Sequence, residues 1–178
     1  MSEIFKFIKI RKIKLSDVSK NWVNWLNDRE VNRFSQQKNK KHSLKSQKEF
    51  IKRKLKDGSS VIYGVFYNKA HIGNIELGMI DFINKNCEVS YVIGEKAYWG
   101  KNIATISINL VLDKAFKEYK LKKIYAGTYS NNISSQRVLL KNNFIKEGEL
   151  SNFYQYNSFR VSKIIFGLEK KKYKKYLV

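Results

Sequence analysis

Three β-rich runs, at residues 60–67, 71–81 and 87–93, are separated only by short polar breaks, Asn68-Lys69 and Asn84-Lys85-Asn86. Links this short cannot carry the chain across a sheet, so neighbouring strands must run antiparallel and the segment reads as a meander. The period then changes. From Ile103 onward, Ala104, Ile108, Val111, Leu112, Ala115 and Tyr119 recur on one helical face. Upstream, Phe5, Phe7, Ile8, Ile10 and Ile13 suggest a first strand. Asp17 then reads as a helix cap before Val18, Trp22, Trp25 and Leu26. Ser43 caps a second helix carrying Leu44, Phe50, Ile51 and Leu55, closed by Asp57-Gly58. Downstream come a strand at 123–130, a short helix at 134–142, strands at 144–150 and 160–167, and a basic, aromatic tail at 170–178 that reads as a frayed helix.

No repeat or linker interrupts this alternation, so residues 1–178 are expected to form one α+β domain. The expected architecture is an α/β/α layering, with about seven strands in a mixed, mostly antiparallel sheet flanked by about four helices. A hydrophobic share of 43% in 178 residues is enough for one core. No apolar run approaches the roughly 18 residues that span a bilayer, and the amino end alternates apolar with basic residues, unlike a signal peptide. A cytoplasmic protein is expected. Cys87 is the only cysteine, and with only His42 and His71 available no zinc spacing occurs, so no metal is expected. The formal charge of +21 favours anionic partners. However, the lack of proline and the wealth of Lys, Asn and Ile fit a genome rich in A and T, which raises lysine everywhere.

The most informative segment is Tyr98-Trp99-Gly100-Lys101-Asn102-Ile103-Ala104, between the third meander strand and the long helix. A strand, a tight loop and a helix start present unpaired N–H groups at the positive end of the helix dipole, which suits a phosphate or diphosphate. Taken alone, a glycine-bearing structural turn explains it equally well. The run Trp99-Gly100-Lys101-Asn102-Ile103-Ala104-Thr105 resembles the diphosphate-binding signature of GNAT acetyltransferases, and especially the Trp-Gly-Lys-Gly-x-Ala-Thr form of the RimJ/RimL-like branch. Asn102 stands where that branch usually has Gly, a change that Asn can bear because it accepts left-handed backbone angles. Asn132-Ile133-Ser134-Ser135-Gln136-Arg137-Val138-Leu139-Leu140-Lys141-Asn142-Asn143-Phe144 is similar to the family's second motif, with Asn143 again replacing Gly. Residues 156–168 are similar to the Tyr-rich closing hairpin of the branch, although Ser162 stands where it usually has Asp. The resemblance covers nearly the whole chain.

It implies the GNAT fold, acetyl-CoA as cosubstrate, and transfer of acetyl to a primary amine by direct attack on the thioester. It further implies cofactor contacts from the loop residues just named, from main-chain groups of Tyr91, Val92 and Ile93 in a splayed strand, and from Asn132, Ser135 and Lys141. Many members protonate the leaving thiolate with a Tyr at the position of Leu139. With that Tyr missing, Ser135 is the leading acid or thiolate-orienting group, against the alternative of a helix-start serine bonding its own backbone. Glu76 and Glu88 are candidate bases, unless they are merely solvent-facing strand residues. His42 is a third candidate.

In the family the first helices wall the acceptor groove, which implicates Trp25, Arg33, Phe34 and His42 in substrate binding, and Glu76 joins them from the meander that would frame the acceptor site. Packing of the first helix on the sheet is the competing role for Trp22 and Trp25. The stretch from Trp25 to Phe34 is similar to enzymes that acetylate nucleotide-linked amino sugars, and more loosely to those that acetylate protein amino termini, including ribosomal ones. A nucleotide sugar is the preferred acceptor, because its diphosphate suits Arg and Lys and its base suits an aromatic platform. A monomer or a homodimer would serve. The competing class is a non-catalytic basic module binding nucleic acid or ribosomes; the spread of basic residues and the lack of a nucleic-acid-binding motif argue against it.

Overall fold

The computed structural model describes residues 6–175. Phe5 of the expected first strand, the first four residues of the amino end and residues 176–178 of the tail lie outside the described residues. The chain runs β1 (Ile8–Lys12), α1 (Lys20–Asn27), α2 (Arg29–Asn32), α3 (Leu44–Lys56), β2 (Val61–Tyr67), β3 (Ala70–Asp81), β4 (Asn86–Ile93), α4 (Ile103–Lys117), β5 (Lys123–Tyr129), α5 (Ile133–Lys141), β6 (Ile145–Tyr156) and β7 (Phe159–Glu169). The seven strands form one sheet in the order β1-β2-β3-β4-β5-β7-β6. Every pairing is antiparallel except β4 with β5.

Strand alternation sends side chains to two helical layers. Val65, Ile75, Leu77, Cys87, Val89 and Ile124 pack against α4, which is buried along most of its length. On the other layer, Ile13, Val18, Trp22, Trp25 and Ile51 form a second cluster with Ile62. The helix count exceeds the expected four by one turn. The Asp28 carboxylate accepts from the N–H groups of Glu30 and Val31 and so starts α2, a feature hidden in a polar sequence. Ser43 caps α3 as expected.

Asp17 does not cap α1; Ser19 does, accepting from the Trp22 N–H at 3.2 Å. Asp17 instead closes a single 3-10 turn and takes a bidentate grip from Arg11, at 2.6 and 2.7 Å. The hydrogen bond from Arg11, chiefly, holds the Asp17 carboxyl below its ordinary value. A lowered carboxyl stabilises the fold above the unfolded value of about 3.9 and loses that contribution as pH falls through the folded one. Asp17→Asn is therefore expected to cost about 1 kcal/mol at neutral pH, because Arg11 is nearly half exposed and water screens the pair. Urea midpoints should show that difference shrinking well below pH 4.

β6 runs to Tyr156, well past the expected end near Leu150. Its register against β7 breaks twice, between Lys146 and Gly148 and between Leu150 and Tyr154, and these bulges scramble the alternation that sequence reading relies on. The break at Asn157, with φ of 53°, turns the chain into β7.

Candidate active site

β4 and β5 pair only at Asn86–Lys123, Cys87–Ile124 and Glu88–Tyr125. Beyond that point β4 keeps β3 as its partner as far as Gly73–Ile93, while β5 keeps β7 over its whole length. Each strand follows its antiparallel neighbour, so the two part, leaving residues 89–93 without a partner on the β5 side. Gly94 then passes so close to Trp25 that an added Cβ would lie 2.0 Å from the indole, so a residue with a side chain does not fit there.

In that loop Gly100 has φ of 74° and Asn102 φ of 61°. Both are left-handed, and Asn143 adopts the same region at φ of 64°, so both asparagines fill positions where the family signature has Gly. Asn102 precedes α4 without capping it through its side chain. The main-chain N–H groups of residues 100–105 have no hydrogen-bond partner among the described residues. An added Cβ at Gly100 would meet nothing within 4 Å. Lys141 reaches in from the end of α5, with Nζ 3.5 Å from the Asn102 side-chain oxygen, and Lys101 is exposed. Free amides, a helix start, open space and two cations fit a diphosphate. The side chains of Ile103 and Thr105 are buried, so only their amides face that space. Trp99 turns inward: its indole N–H donates to the Ile93 carbonyl at 2.7 Å, so that carbonyl, named above as a cofactor contact, already has a partner.

Across the parted strands, the Tyr91 hydroxyl donates to Ser135 Oγ at 2.8 Å. Burial pushes the Tyr91 phenol up to about 12, although its hydrogen bond with Ser135 pulls it down. Ser135 is not capping its own helix. Asn132 does that, its side-chain oxygen accepting from the Ser135 N–H at 3.2 Å. Leu139 is buried in the core.

On the opposite face of the sheet, Glu76 stands across from Ser90 and Gly78 across from Glu88. Both glutamates therefore share one face, in a cleft of about 220 Å³ with Lys54 and Met79. Their situations differ. Glu76 is ion-paired with Lys54 at 2.8 Å, whereas Glu88 has no ion pair among the described residues. After desolvation, the charge of Glu88 is the next cause raising the Tyr125 phenol.

Tyr154, raised chiefly by burial, also feels Glu88, and it opens a cluster that sequence reading missed. Its ring stacks on Tyr129 with centroids 4.0 Å apart, and Phe34 stacks on Tyr156 at 5.4 Å. Lys38 lies over both Tyr129 and Tyr156 and donates to the Gln155 carbonyl at 2.9 Å. The signal available was the Tyr-rich ending; what it lacked was the knowledge that residues 34–38 fold back onto it. Arg33 joins this cluster, its guanidinium 5.1 Å from the Phe34 ring.

Trp25 does not line the groove. It is 5% exposed, donates to Glu95 at 2.9 Å and packs on His71 and Gly94, because an indole beside a glycine strand fills the core better than it faces water. His42 is held through its main chain by Asn27, and no contact joins it to Glu76 or Glu88 among the described residues. Among the described residues no group of His, Cys, Asp and Glu is placed to hold a metal ion, and no helix is long and apolar enough to cross a membrane.

A family model described as an acetyltransferase (GNAT) domain matches residues 8–145. Among curated relatives, the Probable N-acetyltransferase YjcK of Bacillus subtilis (strain 168) is 50% identical over 54 residues, so the alignment spans only 30% of either chain. Among solved structures, a spermidine N-acetyltransferase from Vibrio cholerae in complex with CoA and spermine superposes with a TM-score of 0.85 at 22% identity, over 94% of this chain and 98% of that one. The Microcin C7 self-immunity acetyltransferase MccE, in complex with acetyl-CoA and AMP, gives 0.79 at 19% identity, over 91% and 92%. At such identities the likeness establishes the fold.

Proposed function

The chain belongs to the GNAT acetyltransferase family, and from that premise we propose that it transfers acetyl from acetyl-CoA to a primary amine on a nucleotide-linked amino sugar. The observation that carries the reading is the set of unpartnered amides at residues 100–105, beside the gap between β4 and β5. Acetyl-CoA supplies a thioester, the electrophile that an amine attacks. Residues 100–105, with Lys101 and Lys141, hold its diphosphate, and the free edge of β4 at Tyr91 and Val92 receives its pantetheine arm as a strand would. The Trp-Gly-Lys motif and the serine at 135 support a place in the RimJ/RimL-like branch.

The chemistry needs a base for the attacking amine and a hydrogen-bond donor for the leaving sulfur. Glu88 suits the first role, being a carboxylate in the cleft with no ion pair among the described residues. Glu76, neutralised by Lys54, serves to shape the cleft rather than to take the proton. Ser135, facing the gap, suits the second role.

Charge supports the anionic acceptor. With 36 basic against 15 acidic residues, the surface field repels a polycation and attracts a diphosphate. Phe34 and Tyr156 offer a platform for a base, flanked by Lys38 and Arg33. The MccE structure, in complex with acetyl-CoA and AMP, is a precedent in the same fold for a complex that holds both acetyl-CoA and a nucleotide. Thiol release measured with nucleotide-linked amino sugars, spermidine and amino-terminal peptides tests the choice. The nucleotide-linked amine should exceed spermidine in kcat/KM by at least about tenfold, the factor a single charge-assisted contact supplies. Spermidine as the better substrate would overturn the acceptor assignment.

A further inference from the structure

We propose that Tyr91 is a positioning residue for the acetyl transfer, donating to Ser135 so that the serine hydroxyl aims its own hydrogen at the departing sulfur. The inference rests on the acetyltransferase reading above and adds a residue whose side chain that reading does not use.

Three observations converge. The Tyr91 hydroxyl lies 2.8 Å from Ser135 Oγ, reaching from β4 to the first turn of α5 where β4 and β5 have parted. Ser135 Oγ is free of the usual duty of a helix-start serine, because Asn132 accepts from the Ser135 N–H. Tyr91 is also close to the Ser135 carbonyl, at 3.3 Å, a longer contact than the one to the hydroxyl. A serine hydroxyl has one hydrogen and two lone pairs. When one lone pair accepts from Tyr91, the hydrogen is left for an acceptor elsewhere, and donors aimed at developing charge cost least when already oriented. Burial keeps the phenol protonated at neutral pH, so Tyr91 is a donor throughout the working range.

The step balances without a proton leaving Tyr91. The amine nitrogen forms a bond to the thioester carbon and gives a proton to Glu88. The carbon–sulfur bond breaks, its electron pair stays on sulfur, and Ser135 donates a hydrogen bond to the thiolate, which is protonated from solvent.

The test is a double-mutant cycle of Tyr91→Phe, Ser135→Ala and both together, read in two ways. One reading is kcat. The other is the ionisation of the CoA thiol in the binary complex, followed by thiolate absorbance, which needs no turnover. A hydroxyl donor favours thiolate, so bound CoA should ionise at lower pH than free CoA in the native protein, and Tyr91→Phe should shift it back toward the free value. Tyr91→Phe should lower kcat about tenfold, in keeping with the loss of one oriented hydrogen bond, with the Kd for CoA changed less than about threefold. Because Tyr91 acts through Ser135, the double variant should fall no further than Ser135→Ala.

Additive losses in kcat, with the thiol unmoved in Tyr91→Phe, would reduce Tyr91 to a packing role and overturn the inference while leaving the acetyltransferase reading intact. Native protein that fails to bind CoA would instead overturn that reading. Urea midpoints of the three variants identify any loss that comes from unfolding; should Tyr91→Phe unfold, the thiol shift in Ser135→Ala decides, and its absence would overturn the proposal.

Discussion

Replacing Gly100 with aspartate is expected to weaken acetyl-CoA binding by about a hundredfold while the protein stays folded. An added Cβ at this position meets nothing within 4 Å, so the new side chain projects into the space over the loop rather than into the core. Left-handed backbone at φ of 74° costs a side chain about 1 kcal/mol, and Asp is among the residues that bear it best. The larger effect is electrostatic. A carboxylate placed among the amides of residues 100–105 competes for them and repels a diphosphate, at about 2–3 kcal/mol for charges a few ångströms apart near a surface. At 1.4 kcal/mol per decade that is about two orders of magnitude in Kd. Gly100→Asn carries the same shape and backbone strain without the charge, and is expected to lose only a few-fold. Calorimetry on both variants separates the two causes; equal losses would mean that the loop does not hold an anion.

The second large effect is expected at Glu88. Glu88→Gln should lower kcat by about a hundredfold or more, the range general-base catalysis covers, with the Kd for acetyl-CoA unchanged. Glu76→Gln should change kcat by less than about threefold. The two glutamates lie in one cleft but differ in partner: Lys54 grips Glu76 at 2.8 Å, while no cation is paired with Glu88 among the described residues. A carboxylate whose oxygen is already held by an ammonium has that lone pair committed and is not positioned for an incoming amine, whereas the Glu88 oxygens carry no such partner among the described residues. Neither substitution should alter stability by more than about 0.5 kcal/mol, since both side chains are partly exposed. Single-turnover rates with a good acceptor check this, and a damaging Glu76→Gln beside a silent Glu88→Gln would reverse the assignment.

The order of elements and the left-handed loop before α4 were legible because they depend on local chemistry. Short polar breaks force a meander, and asparagine at two family glycine positions foretells left-handed backbone, found at both. What stayed hidden depends on register and on distant contacts. Glu76 and Glu88 share a face because Glu76 pairs with Ser90 and Gly78 with Glu88, and a bulge at Met79 offsets the hairpin by an amount that alternation does not reveal. What makes the two glutamates differ is Lys54, which sequence spacing does not connect with either. Trp25 takes the packing role rather than the groove role that the resemblance implies, because the face it shares with Trp22 meets Gly94 and His71, partners that helical spacing does not name. Asp17 and Ser19 are both good caps two residues apart, and Arg11 together with the Lys14 main-chain N–H draws Asp17 away from α1. The aromatic cluster of Phe34, Tyr129, Tyr154 and Tyr156 gathers residues from a loop, a strand end and an irregular hairpin, so no local period announces it.

Nuclear magnetic resonance of the backbone amides during titration with CoA tests the central claim most directly. The N–H signals of residues 100–105 should move most, together with those of Tyr91 and Val92, and pantetheine, which lacks the nucleotide and its diphosphate, should leave the loop signals in place while still shifting those on β4. Loop amides that stay still while CoA perturbs some other surface would contradict it.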